Sequence, residues 1–222
     1  IQMLSMEREQ VLYGRGTVDM KAGVAVQLKL AATLVEPTSD VTWIFYDHEE
    51  VEATKNGLGR LARNRPELLD SSFAVLCEPT SAQVEGGCNG TMRVDLTFDG
   101  VKAHSARPWM GKNAIHGAAQ ALTILSEYQP AEIDVDGLVY RESLNAVLIG
   151  GGIATNVIPD ECVITVNYRF APSKSAAEAE QHLRKVFAGM NLTVVDVAEG
   201  ARPGLDREAA KAFVAATQTV AR

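Results

Sequence analysis

TMRVDLTFDG, residues 91–100, sets Met92, Val94, Leu96 and Phe98 against Arg93, Asp95, Thr97 and Asp99. Successive side chains of a strand point to opposite faces. The alternation therefore predicts a strand of an antiparallel sheet with one face in a core and the other in water. Downstream come a helical pattern from about 113 to 128, strand-like runs around 143–150 and 162–170, a helical stretch at 173–188 and the strand LTVVDVA. Strand, helix, strand, strand, helix, strand is the split βαβ or ferredoxin-like order. EGGCNG (85–90) precedes it and GARPG (200–204) follows it. Residues 89–199 are thus expected to form a module inserted between residues 1–88 and 200–222.

The flanking segments read differently. KAGVAVQLKLAATL (21–34) has helical length and good helix formers, and GLGRLARNRPELL reads as a helix broken near Pro66. VTWIFY (41–46) and SFAVLCEPT (72–80) are short apolar runs bounded by polar residues, the pattern of buried parallel strands. The expectation for 1–88 is an α/β layer with a mainly parallel sheet. The helical segment at 206–221 is expected to return to it.

At 222 residues, with 46% hydrophobic and 22% charged, the chain has the composition of a globular protein, and collagen-like or disordered classes are excluded. A net charge of −7 speaks against a nucleic acid or an anionic membrane as partner and leaves a small-molecule substrate. Cys77, Cys88 and Cys162 are an odd set without CxxC spacing, so neither a disulfide framework nor a Cys-rich zinc site is expected, and a reducing cytoplasm is the default. No apolar run approaches the roughly 18–20 residues of a membrane helix.

Four carboxylates fall at or just past the ends of expected elements: Asp19 in GRGTVDMKAG, Glu49 and Glu50 after VTWIFYDH, and Glu78 after FAVLC. In open α/β sheets the carboxyl ends of strands form the ligand crevice. Carboxylates that converge there repel one another, and a divalent cation relieves that repulsion. Neighbours in an extended segment point in opposite directions, so one of Glu49 and Glu50 can ligate a metal while the other moves a proton. Taken singly, each is as readily a solvated loop acid. His104 lies in a loop with Arg107, Pro108 and Trp109, a setting for oxyanion or carboxylate binding. His48, His116 and His182 read as structural, His182 as a solvated residue of a charged helix. GRGTVDMKAG lacks both the GxGxxG spacing and the Walker Lys-Ser/Thr pair, so nucleotide binding is discounted.

YGRGTVDMKAG, the Glu49-Glu50 pair, LCEPT, GVKAHSARP and NVIPDECVITVNYRF, in this order and spacing, resemble the M20 family of di-zinc amidohydrolases, most closely those that act on succinylated diaminopimelate. The resemblance implies a zinc-peptidase-like catalytic domain with an inserted lid and dimerisation domain, two Zn2+ ions, and a homodimer formed through the lid. It implies that Asp19 bridges the ions, Glu50 and Glu78 ligate them, Glu49 is the general base, and His104 supports the oxyanion, in some members within the partner's site. Thr91, Asn156 and Arg169 match substrate-contacting positions. The implied reaction is hydrolysis of the amide in N-succinyl-LL-2,6-diaminopimelate. An N-acetylornithine deacetylase, a dipeptidase and a non-catalytic dimeric binding protein are the alternatives. Two zinc-ligating histidines of the family fall outside residues 1–222, so this chain alone is expected to bind metal weakly and to have little activity. Carboxylates alone would also accept Mg2+ or Mn2+. Val51 replaces a frequent Gly, and Cys88 and Asn89 stand where many relatives carry arginines.

Overall fold

The computed structural model describes residues 6–52, 54–81 and 83–220. The chain divides into two compact units, residues 86–205 and residues 1–85 with 206–222.

The first of these is an α+β unit built on a four-stranded antiparallel sheet. Its strands are β3 (Gly90–Asp99), β7 (Ser143–Gly151), β9 (Glu161–Phe170) and β10 (Asn191–Ala198), in spatial order β10-β3-β9-β7. Numbered within the unit, the order is 4-1-3-2. Helices α3 (Ala114–Gly117), α4 (Ala119–Glu127) and α5 (Ala176–Val186) supply the connections. The period-two reading of residues 91–100 corresponds to what is seen. Met92, Val94 and Leu96 of β3 and Cys162, Ile164, Val166, Tyr168 and Phe170 of β9 are buried together with Ala121, Leu183 and Phe187 from the helices. Thr91, Arg93, Asp95 and Thr97 occupy the other, partly exposed face. Ser175 opens α5 with a reciprocal capping box to Glu178, which satisfies two otherwise orphaned N–H groups. A short pair, β4 (Ala103–His104) with β8 (Val157–Ile158), and a hairpin, β5 (Glu132–Val135) with β6 (Leu138–Arg141), complete the unit. No sequence signal had pointed to these four short strands.

The second unit holds the hairpin β1 (Met6–Arg8) and β2 (Val11–Tyr13), α1 (Lys21–Thr33), α2 (Gly57–Asn64) and α6 (Glu208–Val220). A single 3-10 turn at Pro66–Leu68 ends the α2 region where the proline was expected to break it. Ala221, the last residue of the predicted final helix, lies outside the described residues. The parallel strands expected at 41–46 and 72–80 are corrected here: among the described residues neither run has a ladder partner, and every sheet pairing is antiparallel. Phe45, Val75 and Leu76 are exposed. A parallel strand takes its hydrogen bonds from neighbours distant in sequence, and the described residues of this unit offer one hairpin paired to itself.

Candidate active site

The acidic turn is built by α2. Gly57, the first residue of α2, is buried, its N–H donates to the Asp47 carbonyl at 2.9 Å, and a Cβ at this position would overlap Asp47. Asn56 caps the helix, accepting from the Gly59 N–H at 3.0 Å, and its Nδ2 reaches the Glu49 carbonyl at 3.4 Å. The Asp47 carboxylate lies 2.7 Å from His48 Nδ1 and accepts from Arg60 at 2.6 Å. These two partners hold its carboxyl below the ordinary carboxylate range. Asp47 and His48 are therefore occupied in tying the turn to α2, and His48 takes a left-handed backbone (φ 58°) just before the glutamate pair.

The other acids arrive from two separate stretches. Asp19 precedes α1, and the Lys21 N–H donates to the Gly16 carbonyl at 2.9 Å, closing the glycine turn. The Asp19-Met20 peptide is cis. A Cβ on Gly23 of α1 would collide with the Cys77 carbonyl, so glycine is what lets α1 approach the segment that carries Glu78. The carboxyl of Glu49 is pushed up, first by burial and then by the charges of Glu50, Glu78 and Asp19. Tyr46 responds likewise, to burial and then to Glu49 and Glu78. The four acids thus share one electrostatic neighbourhood, and Tyr46, which the sequence reading had assigned only to a strand, belongs to it.

Convergence is not yet a metal cage. Among the described residues no three His, Cys, Asp or Glu side chains stand close enough together to hold a metal ion. The donors at hand are carboxylates, whereas zinc sites draw on imidazole or thiolate as well. These residues alone do not fit a complete zinc centre.

The remaining site residues lie in the α+β unit and fall into two pairs. Thr91 is the register partner of Arg169 on neighbouring strands, and Ser143 of β7 is the other register partner of Arg169. His104 and Asn156 meet at the β4–β8 pair, where the Ser105 N–H donates to the Asn156 carbonyl at 2.9 Å. The Thr91–Arg169 pair sits one register step from the Gly90–Phe170 end of the β3–β9 ribbon, and the His104–Asn156 pair lies past its Asp99–Glu161 end. Eight residues at about 3.3 Å each separate Thr91 from Asp99, roughly 26 Å of strand. The Ala106 N–H donates to His104 Nδ1 at 3.1 Å. The neutral ring then carries its proton on Nε2, which is left as a donor at the exposed end of β4.

His182, expected to be solvated, is half-buried. Its Nε2 is 2.8 Å from the Tyr128 hydroxyl and its ring stacks on Tyr168 with centroids 5.2 Å apart. Burial, then Lys174, lower its affinity for a proton.

Comparison with known proteins places these observations. The peptidase dimerisation domain of the M20 family matches residues 87–193. The chain is 50% identical over 214 residues to a protein of Mycobacterium tuberculosis named putative succinyl-diaminopimelate desuccinylase DapE, covering 96% of this chain and 60% of the relative. It is 41% identical to the succinyl-diaminopimelate desuccinylase of Corynebacterium glutamicum, covering 95% of this chain and 59% of that one. The chain therefore spans about 60% of the length of these curated relatives. Among solved structures, a tripeptidase from Staphylococcus aureus superposes with a TM-score of 0.71 at 20% identity, over 98% of this chain and 60% of its own. An M20 family metallo-carboxypeptidase from Sulfolobus solfataricus does so with a TM-score of 0.64 at 15% identity, over 97% and 63%. The zinc-peptidase-like fold with its inserted α+β lid is that of these neighbours, and residues 87–193 match the peptidase dimerisation domain of the M20 family.

Proposed function

We propose that this chain is part of a metal-dependent amidohydrolase that cleaves N-succinyl-LL-2,6-diaminopimelate to succinate and LL-2,6-diaminopimelate. The observation that carries the reading is the half-identity, over nearly the whole chain, to a mycobacterial relative named as a desuccinylase. Asp19, Glu50 and Glu78 would supply carboxylate donors to a metal site, zinc by family resemblance, where the cation would polarise the scissile carbonyl. Glu49 is the general base: it takes a proton from the attacking water and returns it to the leaving amine. His104, with Nε2–H free to donate, supports the oxyanion. Thr91, Asn156 and Arg169 contact substrate.

The two lid pairs are too far apart for one small substrate to touch both. We therefore assign Thr91 and Arg169 to one site, and His104 with Asn156 to the site of the second subunit in a homodimer. No helix among the described residues is long and apolar enough to cross a membrane, and Cys77, Cys88 and Cys162 are free thiols. A cytoplasmic location completes the proposal.

The test is hydrolysis of N-succinyl-LL-2,6-diaminopimelate against N-acetylornithine by the full-length protein, before and after chelation. Turnover of the succinyl compound should dominate and depend on metal, and Glu49→Gln should lower kcat at least about 100-fold. Preference for acetylornithine would move the substrate assignment, and full activity of Glu49→Gln would end the catalytic one. Mixing Glu49→Gln with His104→Ala subunits tests the shared site. If His104 acts in the partner, each mixed dimer regains one complete site and activity returns; continued inactivity assigns His104 to its own subunit.

A further inference from the structure

Glu142 is the one charged residue that is buried among the described residues, at 2% exposure. A carboxylate out of water must have its lone pairs filled, and these are. Oε1 accepts from the Ala171 N–H at 2.9 Å and from Lys174 Nζ at 2.7 Å. Oε2 accepts from the Tyr168 hydroxyl at 2.9 Å and again from Lys174 at 2.7 Å. The fully buried Tyr168 ring is backed by the His182 imidazole, itself bonded to Tyr128.

What this network encloses is a single position on the opposite face of the sheet. Glu142 immediately precedes Ser143, the register partner of Arg169. Two of its donors, Tyr168 and the Ala171 N–H, lie one residue before and two after Arg169. Glu142 thus ties the start of β7 to the end of β9, beside Arg169. Arg93, on the same polar face, is engaged by Asp196 at 2.7 Å. Among the described residues the Arg169 guanidinium has no ion pair or side-chain hydrogen bond, which leaves it available to an anion.

We propose that Glu142 is a positioning residue for the reaction: through Tyr168 and the Ala171 N–H it fixes the β7–β9 junction so that Arg169 is preset to receive a carboxylate of the acyl-amino acid substrate. This rests on the reading that Arg169 contacts substrate. A guanidinium on a loose strand end would lose orientational freedom at binding, and that loss appears in KM.

Steady-state kinetics on the full-length protein with N-succinyl-LL-2,6-diaminopimelate provide the test, alongside thermal melting. Glu142→Gln keeps the shape and removes the charge; KM should rise about tenfold with kcat within about twofold. Tyr168→Phe removes one hydrogen bond and should raise KM about threefold, and it decides the matter if Glu142→Gln does not fold. In an Arg169→Met background both increments should vanish, because their effect passes through the guanidinium. Increments that multiply with that of Arg169→Met, or a lowered melting temperature with unchanged KM, would reduce Glu142 to a structural residue and overturn the proposal. If Arg169→Met itself leaves KM unchanged, the assignment of Arg169 to substrate falls as well. A KM effect from Arg169→Met with none from Glu142→Gln removes the positioning role alone.

Discussion

Gly90 and Gly150 both belong to the lid sheet, and their surroundings separate them. A Cβ on Gly90 would strike the ring of Phe170, which is fully buried and has nowhere to move, whereas Gly150 has nothing within 4 Å. Gly90→Ala should therefore lower stability by about 1–3 kcal/mol, as overpacking of a core does, while Gly150→Ala stays within about 0.5 kcal/mol. Urea denaturation of the two variants makes the comparison, and equal midpoints would contradict it. The difference was not visible in the sequence, because it depends on which ring crosses from β9. His182 teaches the same lesson. Its neighbours Glu180, Arg184 and Lys185 are charged, which suggested solvent, yet the helix turns it toward Tyr168 and Tyr128. By contrast, the buried positions of β3 could be read directly, since period two is a local property of the backbone.

At the level of elements, the four strands of the lid sheet could be read from sequence because each shows its own periodicity, and their order selects the topology. The runs at 41–46 and 72–80 were misread as parallel strands, since an apolar run becomes a strand only when a distant neighbour supplies its ladder. The acid set shows the same division. The acids Asp19, Glu49, Glu50 and Glu78 could be picked out of the sequence, but their mutual influence and the part of Tyr46 required the folded chain. The edge strand β7 carries the next consequence. Among the described residues it pairs only with β9, bulges at Val147, and exposes Val147, Leu148 and Ile149. An exposed apolar edge on a dimerisation domain is where a second copy would add its strand. Leu148→Lys with Ile149→Lys should convert the proposed homodimer to monomer in light scattering, and an unchanged mass would place the interface elsewhere.

Across the molecule, the clustered apolar core lies in the unit 86–205, and its buried polar network should make that unit sensitive to pH. Burial raises the Glu142 carboxyl, but the Ala171 N–H, Lys174 and Tyr168 outweigh it and hold the carboxyl below its ordinary value of 4.5. Burial, then Lys174, holds His182 below 6.5, against an opposing pull from Glu142. In both cases the unfolded chain binds the proton first on acidification, so each group stabilises the fold above its ordinary value and that stability drains as pH falls toward the folded one. The two losses begin at different points: that of His182 below 6.5, and that of Glu142 below 4.5. Tyr168 is shifted upward, by burial and then by Glu142, so its contribution is lost only on the alkaline side. Hydrogen exchange of the β9 amides, corrected for the intrinsic rate, should therefore show protection that begins to fall below pH 6.5 and falls further below 4.5. His182→Gln removes the titrating ring and should flatten the first fall while leaving the second. A first fall that survives this substitution would assign it to another group and break the link between His182 and the anchoring of α5 on the sheet.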